Sequence, residues 1–184
     1  MSNILNERWI TRYNQLSEKV KKRIDYFDDE GYKSYSLIKG KGSRKYPEVG
    51  DMFEIHPSED IDLFGVVINN HISNINGDDL ILVAVLKPES DIEKIAKIGI
   101  IADDLLLPPQ MLGKEYWTKG YFVNVGKCSS KIDKYCFYSV GKDKIFNEYG
   151  ENAELEAIVG IFGVSTIMGF GIKIARELIL DEKM

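Results

Sequence analysis

Cysteine and histidine are rare in this sequence, and their scarcity limits the kinds of site that it can form. The chain of 184 residues has two cysteines and two histidines. Cys128 and Cys136 lie eight residues apart, a spacing that matches no zinc or redox motif. With His56 and His71 as the remaining soft ligands, a four-ligand metal site is not expected. We therefore predict a protein of a reducing compartment that holds no metal and no other cofactor.

The motifs of several enzyme classes are missing as well. The sequence has no Gly-x-Ser-x-Gly elbow, and neither cysteine lies in a reactive motif. The glycines of GIFG (160–163) and GFG (169–171) do not form a dinucleotide fingerprint, and GKGS (40–43) lacks the spacing of a phosphate-binding loop. We interpret His56, in EIHPSED, as a strand-end histidine beside a proline turn, with an acid–base or metal-activated role as the alternative. No catalytic residue is predicted.

Long hydrophobic runs are also absent. The uncharged stretch AIVGIFGVSTIMGFGI (157–172) has 16 residues, whereas a membrane-spanning helix needs about 20 apolar ones. Its four glycines are more typical of turns, so we predict a buried strand, a turn and a helix, and no membrane span. The opening MSNILNERWITR has an early arginine and no apolar segment of the kind that a signal peptide needs. We expect a cytoplasmic protein.

Positive charge is scarce outside the N-terminal quarter of the chain. The formal net charge is −5. Residues 1–46 have 11 Lys/Arg against 6 Asp/Glu, and the remainder has 13 against 23, so a segment of net +5 precedes a body of net −10. An acidic body repels nucleic acid and increases the association rate of basic proteins. A merely solvated surface and an acidic surface that docks a partner both remain open.

Hydrophobic residues make up 44% of the chain and charged residues 29%, the composition of a folded domain. Apolar side chains recur every three or four positions over residues 4–30, which predicts one amphipathic helix with a basic polar face. Asn3 is its predicted N-cap, and Gly31 is predicted to end it.

The residues after this helix are predicted to separate it from the main domain. YKSYSLI (32–38) predicts a short first strand, and KGKGSRKYP (39–47) has the glycine, charge and proline content of a loop. We therefore divide the chain into an N-terminal part, residues 1–45, and a main domain, residues 46–184.

The main domain has the pattern of a sheet with flanking helices. The predicted strands are rich in β-branched and aromatic residues: 52–56, 62–69, 80–86, 119–126 and 135–141. LILVAVL (80–86) is apolar on both faces and is expected to lie centrally in the sheet or to be covered by a helix. Helices are predicted over 91–98 and 168–180. We expect an α+β fold with a small, largely antiparallel curved sheet or barrel of about five to six strands.

The acidic pair Asp103-Asp104 differs from the other acidic pairs because it lies between two apolar runs, IGIIA and LLLPP. A carboxylate there is expected to be partly buried and to need a hydrogen-bond donor. We retain Asp103 as a candidate site residue beside its interpretation as a turn residue.

The most specific stretch is LPPQMLGKEYWTKGYFVNV (107–125). Adjacent prolines disfavour both a helix and a strand ladder, so we expect the backbone to leave the sheet at Pro108-Pro109. Trp117 is interpreted either as a corner packed on the core or as an exposed aromatic anchor for a partner protein, with a small-molecule pocket as the third alternative.

Three segments together resemble the immunity protein 26 family of bacterial polymorphic toxin and contact-dependent inhibition systems. They are YPEVGDMFEIH (46–56), FGVVIN (64–69) and LPPQMLGKEYWTKGYF (107–122). The shared pattern is a Gly-Asp-hydrophobic entry to a strand, a strand that contains glycine, and a Pro-Pro…Trp-x-x-Gly-Tyr-Phe corner. The similar region runs from about residue 46 to the C-terminus.

The resemblance implies inhibition of a toxin by binding rather than catalysis. The partner would be a cognate toxin domain, and the acidic body is compatible with a basic toxin such as a nuclease. The candidate contact residues are Tyr46, Asp51, Asp103, Trp117 and Tyr121. The family is also named jointly with a phosphotriesterase-type hydrolase, which makes a small hydrolase the first alternative. A nucleic-acid-binding barrel that uses the basic residues of 19–23 and 39–45 is the second.

Overall fold

The structure, a computed structural model, describes residues 4–128 and 131–184. Its α-helices, α1 to α5 in chain order, are Ile4–Gln15, Glu18–Asp29, Ile92–Ile98, Glu115–Thr118 and Ile167–Leu180. Its strands, β1 to β8, are Asp51–Ser58, Ile61–Asn74, Gly77–Leu86, Leu105–Leu112, Val123–Lys127, Tyr135–Ser139, Lys144–Phe146 and Ile158–Ile161. The predicted α+β class, with N-terminal and C-terminal helices around a largely antiparallel sheet, is confirmed.

The strands form two sheets. The larger sheet has the order β4-β3-β2-β1-β5, and all of its neighbours are antiparallel. In the smaller sheet, β6 is antiparallel to β7 and parallel to β8. Within the described ranges β4 and β5 are the two edges of the larger sheet and do not pair with each other. The sheet therefore stays open, and the barrel alternative is wrong.

Strand β3 has apolar side chains on both faces because both of its faces are covered. On one face Ile81, Val83 and Val85 join the main core, which α5 completes. On the other face alternate residues of β3 pack against α3 and β6. The position expected for LILVAVL inside the sheet is confirmed.

The N-terminal segment forms two helices rather than the single helix predicted over residues 4–30. Ser17 separates them, because its backbone is extended and its Oγ accepts a hydrogen bond from Val20 N at 3.3 Å, as an N-cap does. The apolar face of α2 packs against α5. Gly31 begins a 3₁₀ turn rather than ending a helix, and the predicted cap at Asn3 lies outside the described residues.

The strand predicted over residues 32–38 is wrong. Gly31–Ser34 is a 3₁₀ turn, and Ile38 makes a single bridge to His56. The loop at 39–47 has no regular element, but it is tied to the main domain by Gly40 N to Gly120 O (2.8 Å) and Ser43 N to Trp117 O (2.9 Å). The division of the chain near residue 45 remains a prediction.

Pro108 and Pro109 do not end the sheet, contrary to the prediction. They lie within β4, an edge strand whose one neighbouring strand in the described sheet is β3, apart from a single bridge between Met111 and Val164. Val85 is paired with Leu107 and Val83 with Gln110, so β4 has one extra residue at the prolines. A proline is tolerated at such a bulge on an edge strand, because the missing N–H removes no bond from a ladder.

The C-terminal stretch forms the strand, turn and helix that its glycines predict, with β8 followed by α5. Among the described residues, no helix has both the length and the apolar character needed to cross a membrane.

Candidate functional site

Trp117 lies in the core, with 1% of its surface exposed. Its ring packs edge-on against Phe53 and Phe122, at 5.3 and 5.0 Å between ring centroids. Its Nε1 donates to Asn124 Oδ1 at 2.8 Å. Of the three alternatives for Trp117, the structure shows the corner packed on the core. The indole ring is not available for direct contact with a partner.

Asp51 is buried as well, with 3% exposure. Its Oδ2 accepts hydrogen bonds from Glu48 N at 2.9 Å and Asn124 Nδ2 at 3.0 Å, and Lys127 Nζ lies 2.6 Å from Oδ1. Burial by itself raises the pKa of Asp51, but the hydrogen bonds from Lys127 and Glu48 outweigh burial and lower the pKa overall. Asp51 fixes the entry to β1 and does not face a partner.

Tyr121 and Asp103 lie apart from this network. Tyr121 is half-buried, and Lys39 Nζ lies 5.2 Å from the centre of its ring. Asp103 is exposed in a 3₁₀ turn, and it is Asp104 whose Oδ2 accepts the capping hydrogen bond from Ile101 N at 3.0 Å. The partly buried carboxylate with a donor that was expected in this pair is therefore Asp104, whereas the candidate Asp103 is exposed.

Tyr46 belongs to a cluster at the end of the β2–β3 hairpin. Its ring stacks on His71, with 4.5 Å between centroids and 6° between planes. Its OH donates to Asp79 Oδ1 at 2.9 Å, and His71 Nδ1 lies 2.7 Å from the same oxygen. An aromatic ring, an imidazole and a carboxylate thus hold one another in a fixed arrangement.

Irregularities in the β2–β3 ladder bring His71 and Asp79 together. The pairing shifts between Asn69 and Ile72 and again between Ile72 and Asn74. His71 has φ +53° and Asp79 has φ +56°, a left-handed conformation that non-glycine residues seldom adopt. Such bulges redirect side chains, and strained residues persist only where the surrounding structure holds them. Here the bulges direct the two polar side chains toward Tyr46.

The protonation of the cluster follows from its hydrogen bonds. Partial burial and the hydrogen bond to Asp79 raise the pKa of Tyr46 to about 12. The hydrogen bonds from Tyr46 and His71 lower the pKa of Asp79. At neutral pH the tyrosine is therefore neutral, and Asp79 presents a fixed negative charge on an exposed side chain.

The same hairpin end displays an apolar side chain. Ile75, in the turn between β2 and β3, is 77% exposed, and Asp78 beside the turn is also exposed. We use the name hairpin-end surface for the following five residues: Tyr46, His71, Ile75, Asp78 and Asp79. The surface combines an aromatic ring, an aliphatic side chain and negative charge.

The loop after β7 forms hydrogen bonds with this hairpin and with the smaller sheet. Asn69 Nδ2 donates to Tyr149 OH at 2.9 Å, and Asn74 Nδ2 donates to Glu148 O at 2.7 Å. Tyr135 OH of β6 donates to Glu148 Oε1 at 2.9 Å. The hairpin is thus also held by hydrogen bonds to residues 148 and 149 and, through Glu148, to β6, which restricts its motion.

Of the five residues predicted as contacts, Tyr46 lies in the hairpin-end surface, while the buried residues Asp51 and Trp117 are joined through Asn124. His71 and Asp79 were not predicted from the sequence, because the residue pattern does not indicate the two bulges of the β2–β3 ladder. The one available sign was Asn76-Gly77-Asp78-Asp79, which predicts a turn but not the side chains that meet beside it.

The chemistry of the surface favours recognition. The described residues contain no group of three or more His, Cys, Asp or Glu arranged to hold a metal ion. The His71–Asp79 pair resembles two members of a catalytic triad, but among the hydrogen bonds of the described residues neither ring nitrogen of His71 meets a serine or cysteine. The surface offers an anion, a ring and an aliphatic group to a binding partner.

A comparison with protein-family models, curated proteins and solved structures finds no match to the chain. The resemblance of its motifs to the immunity protein 26 family accordingly remains a prediction.

Proposed function

We propose that the protein is a cytoplasmic, non-enzymatic immunity protein that binds a cognate bacterial toxin domain and neutralises it. The single observation that supports this proposal best is the preformed hairpin-end surface. Its Tyr46 ring and Asp79 carboxylate are held in place by hydrogen bonds and stacking, and Ile75, in the turn of the same hairpin, is 77% exposed.

Such a surface suits a tight protein complex. Binding is weakened when side chains must be immobilised in the complex, and the Tyr46–His71–Asp79 contacts fix these side chains in the free protein. Aromatic and apolar groups supply most of the affinity at interfaces, and neighbouring charges supply specificity and association rate. Ile75 and Tyr46 would provide affinity, and Asp78 and Asp79 would provide specificity and a higher association rate.

The charge distribution favours a basic toxin, such as a nuclease, over a nucleic acid. The main part of the chain after residue 46 has 13 Lys/Arg against 23 Asp/Glu. The basic face of α2 is partly paired, since Lys19 lies 3.5 Å from Glu182 and Lys21 lies 3.0 Å from Glu18. Arg23 donates to the carbonyl oxygen of Met184. These contacts engage Lys19, Lys21 and Arg23 and so reduce the attraction of α2 for the phosphates of a nucleic acid.

A rescue assay tests the proposal. The toxin domain encoded beside this gene is expressed with the protein in a host that the toxin alone kills. We expect survival and a complex that co-elutes from the lysate. Ile75→Asp should abolish rescue, whereas Ile98→Asp should preserve it, because Ile98 is similarly exposed (60%) on α3 outside the hairpin-end surface. Death with the wild-type protein, or equal rescue by both variants, would contradict the proposal.

A further inference from the structure

Lys173 of α5 lies in a cluster of neutral polar groups at the edge of the core. Its Nζ donates to Gln110 Oε1 at 2.7 Å and to Ser165 Oγ at 3.0 Å. Ser165 Oγ in turn donates to Gln110 Oε1 at 2.9 Å. Gln110 and Ser165 are 6% and 7% exposed, so the cluster is shielded from water on this side.

The charge of Lys173 is not balanced by an acid. An ammonium group has three N–H donors, and Gln110 and Ser165, both neutral, accept two of them. None of the ion pairs among the described residues includes Lys173. Burial lowers the pKa of Lys173 for this reason. A shielded cation without a counter-charge is costly, and an anionic ligand would remove that cost.

A cavity of about 210 Å³ is lined in part by Lys173. Its polar end consists of Gln110 and Lys173. The rest of its wall is apolar and is formed by Leu5, Leu107, Pro108, Val159, Gly160 and Ile161. Concave apolar walls with a few convergent polar groups are the usual features of a small-molecule site.

A second cavity, of about 310 Å³, shares Leu5, Pro108 and Val159 with the first and therefore extends it. Its two arginines are poorer anion sites than Lys173. Arg12 already pairs with Glu177 at 2.5 Å and with Asp181 at 3.3 Å. Arg8 is exposed to water and donates to Ala157 O at 3.3 Å. Of these three cations, Lys173 is the one that is half-buried and has no partner among the ion pairs of the described residues.

We propose that this cavity binds a small carboxylate with a short apolar chain, its carboxylate on Lys173 Nζ and its chain between Leu107, Pro108 and Val159. The inference does not depend on toxin binding. The carboxylate supplies the missing counter-charge and the chain covers the apolar wall, so both halves of the ligand are needed.

Isothermal titration of the full chain with octanoate tests the proposal. Octanoate should bind, and both acetate and octanol, each of which lacks one half of the ligand, should bind at least about tenfold more weakly. Lys173→Met keeps the apolar stem and removes the charge, so octanoate affinity should fall by about tenfold to a hundredfold, the size of a hydrogen bond to a charged group. The exposed Lys134→Met should leave it unchanged.

Ile161→Asp provides a second variant, since Ile161 lines the cavity yet is 46% exposed, so that the change does not disturb the core. Its added negative charge should also weaken octanoate binding. Absence of octanoate binding to the wild-type chain would overturn the proposal, as would equal affinities of the wild type, Lys173→Met and Ile161→Asp. Thermal unfolding of each variant without ligand verifies that it is folded.

Discussion

Trp117 and Asp51 are both buried, and the exposed residue Asn124 links them by hydrogen bonds. Trp117 Nε1 donates to Asn124 Oδ1, and Asn124 Nδ2 donates to Asp51 Oδ2. A buried indole needs an acceptor and a buried carboxylate needs donors, and Asn124 satisfies both because its amide has an oxygen and a nitrogen. These residues therefore stabilise the domain, and their effect on a partner would be indirect.

Replacement of Trp117 by alanine should lower the free energy of unfolding by about 3–5 kcal/mol, because it leaves a large cavity beside Phe53 and Phe122. Urea denaturation followed by circular dichroism measures the change. Trp9→Ala is the matched control. Because Trp9 is only half-buried on α1, its replacement should lower the free energy of unfolding clearly less. A change below about 1 kcal/mol for Trp117→Ala would argue that the ring is not a core residue.

Asp51 makes a pH-dependent contribution to stability. Its pKa is lower in the folded protein than in the unfolded chain, so its contribution is present above the unfolded pKa of about 3.9 and is lost as pH falls through the folded value. At pH 7, Asp51→Asn should cost about 1–3 kcal/mol, because hydrogen bonds from Lys127 and Glu48 are weakened. Urea titrations at a series of pH values should show the two proteins converging in acid. A constant difference down to pH 2 would contradict this account.

At the scale of elements, the Phe53 ring of β1 can pack over β2 because its cross-strand partner Gly65 has no side chain. A Cβ at this position would overlap the ring of Phe53 and lie 2.9 Å from Ala84 O. We expect Gly65→Ala to destabilise the protein by about 1–3 kcal/mol through overpacking. Gly126→Ala in β5 is the control, since its Cβ would meet only Met52 Cε at 3.5 Å. Equal melting temperatures for the two variants would contradict the close packing of the Phe53 ring on Gly65.

Elements whose residue pattern is determined by burial could be predicted from the sequence. The alternation of β1 follows its one-sided burial, and the continuous apolar run of β3 follows its two covered faces. Elements that depend on a single contact could not. The helix break at Ser17 depends on one local N-cap hydrogen bond within a continuous apolar pattern. The passage of Pro108 and Pro109 through an edge bulge depends on tertiary position, which overrides the local preference.

The candidate site was less predictable than the fold for the same reason. Tyr46 was identified from its motif, but its partners His71 and Asp79 lie 25 and 33 positions further along the chain. They meet it through two bulges and two left-handed residues. Charge and aromatic content predict that such a surface can exist. They do not predict which side chains the ladder brings together.

At the scale of the whole molecule, the acidic body should act on association rather than on dissociation. Long-range attraction between unlike charges is screened as salt rises. The association rate with the toxin domain should therefore fall by about tenfold or more between roughly 0.05 and 0.5 M NaCl, with a much smaller change in dissociation rate. Surface plasmon resonance measures both rates. A salt-independent association rate would contradict a basic partner.

The most direct test of the central claim is the affinity of the purified toxin domain for the wild type, Ile75→Asp and Ile98→Asp, measured by calorimetry. Both variants change exposed residues and should keep the wild-type stability within about 0.5 kcal/mol. We predict that Ile75→Asp weakens binding by about a hundredfold or more, as loss of an interface hot spot does, while Ile98→Asp binds like the wild type. Wild-type affinity for Ile75→Asp, or no binding by the wild type, would contradict toxin recognition through the hairpin-end surface.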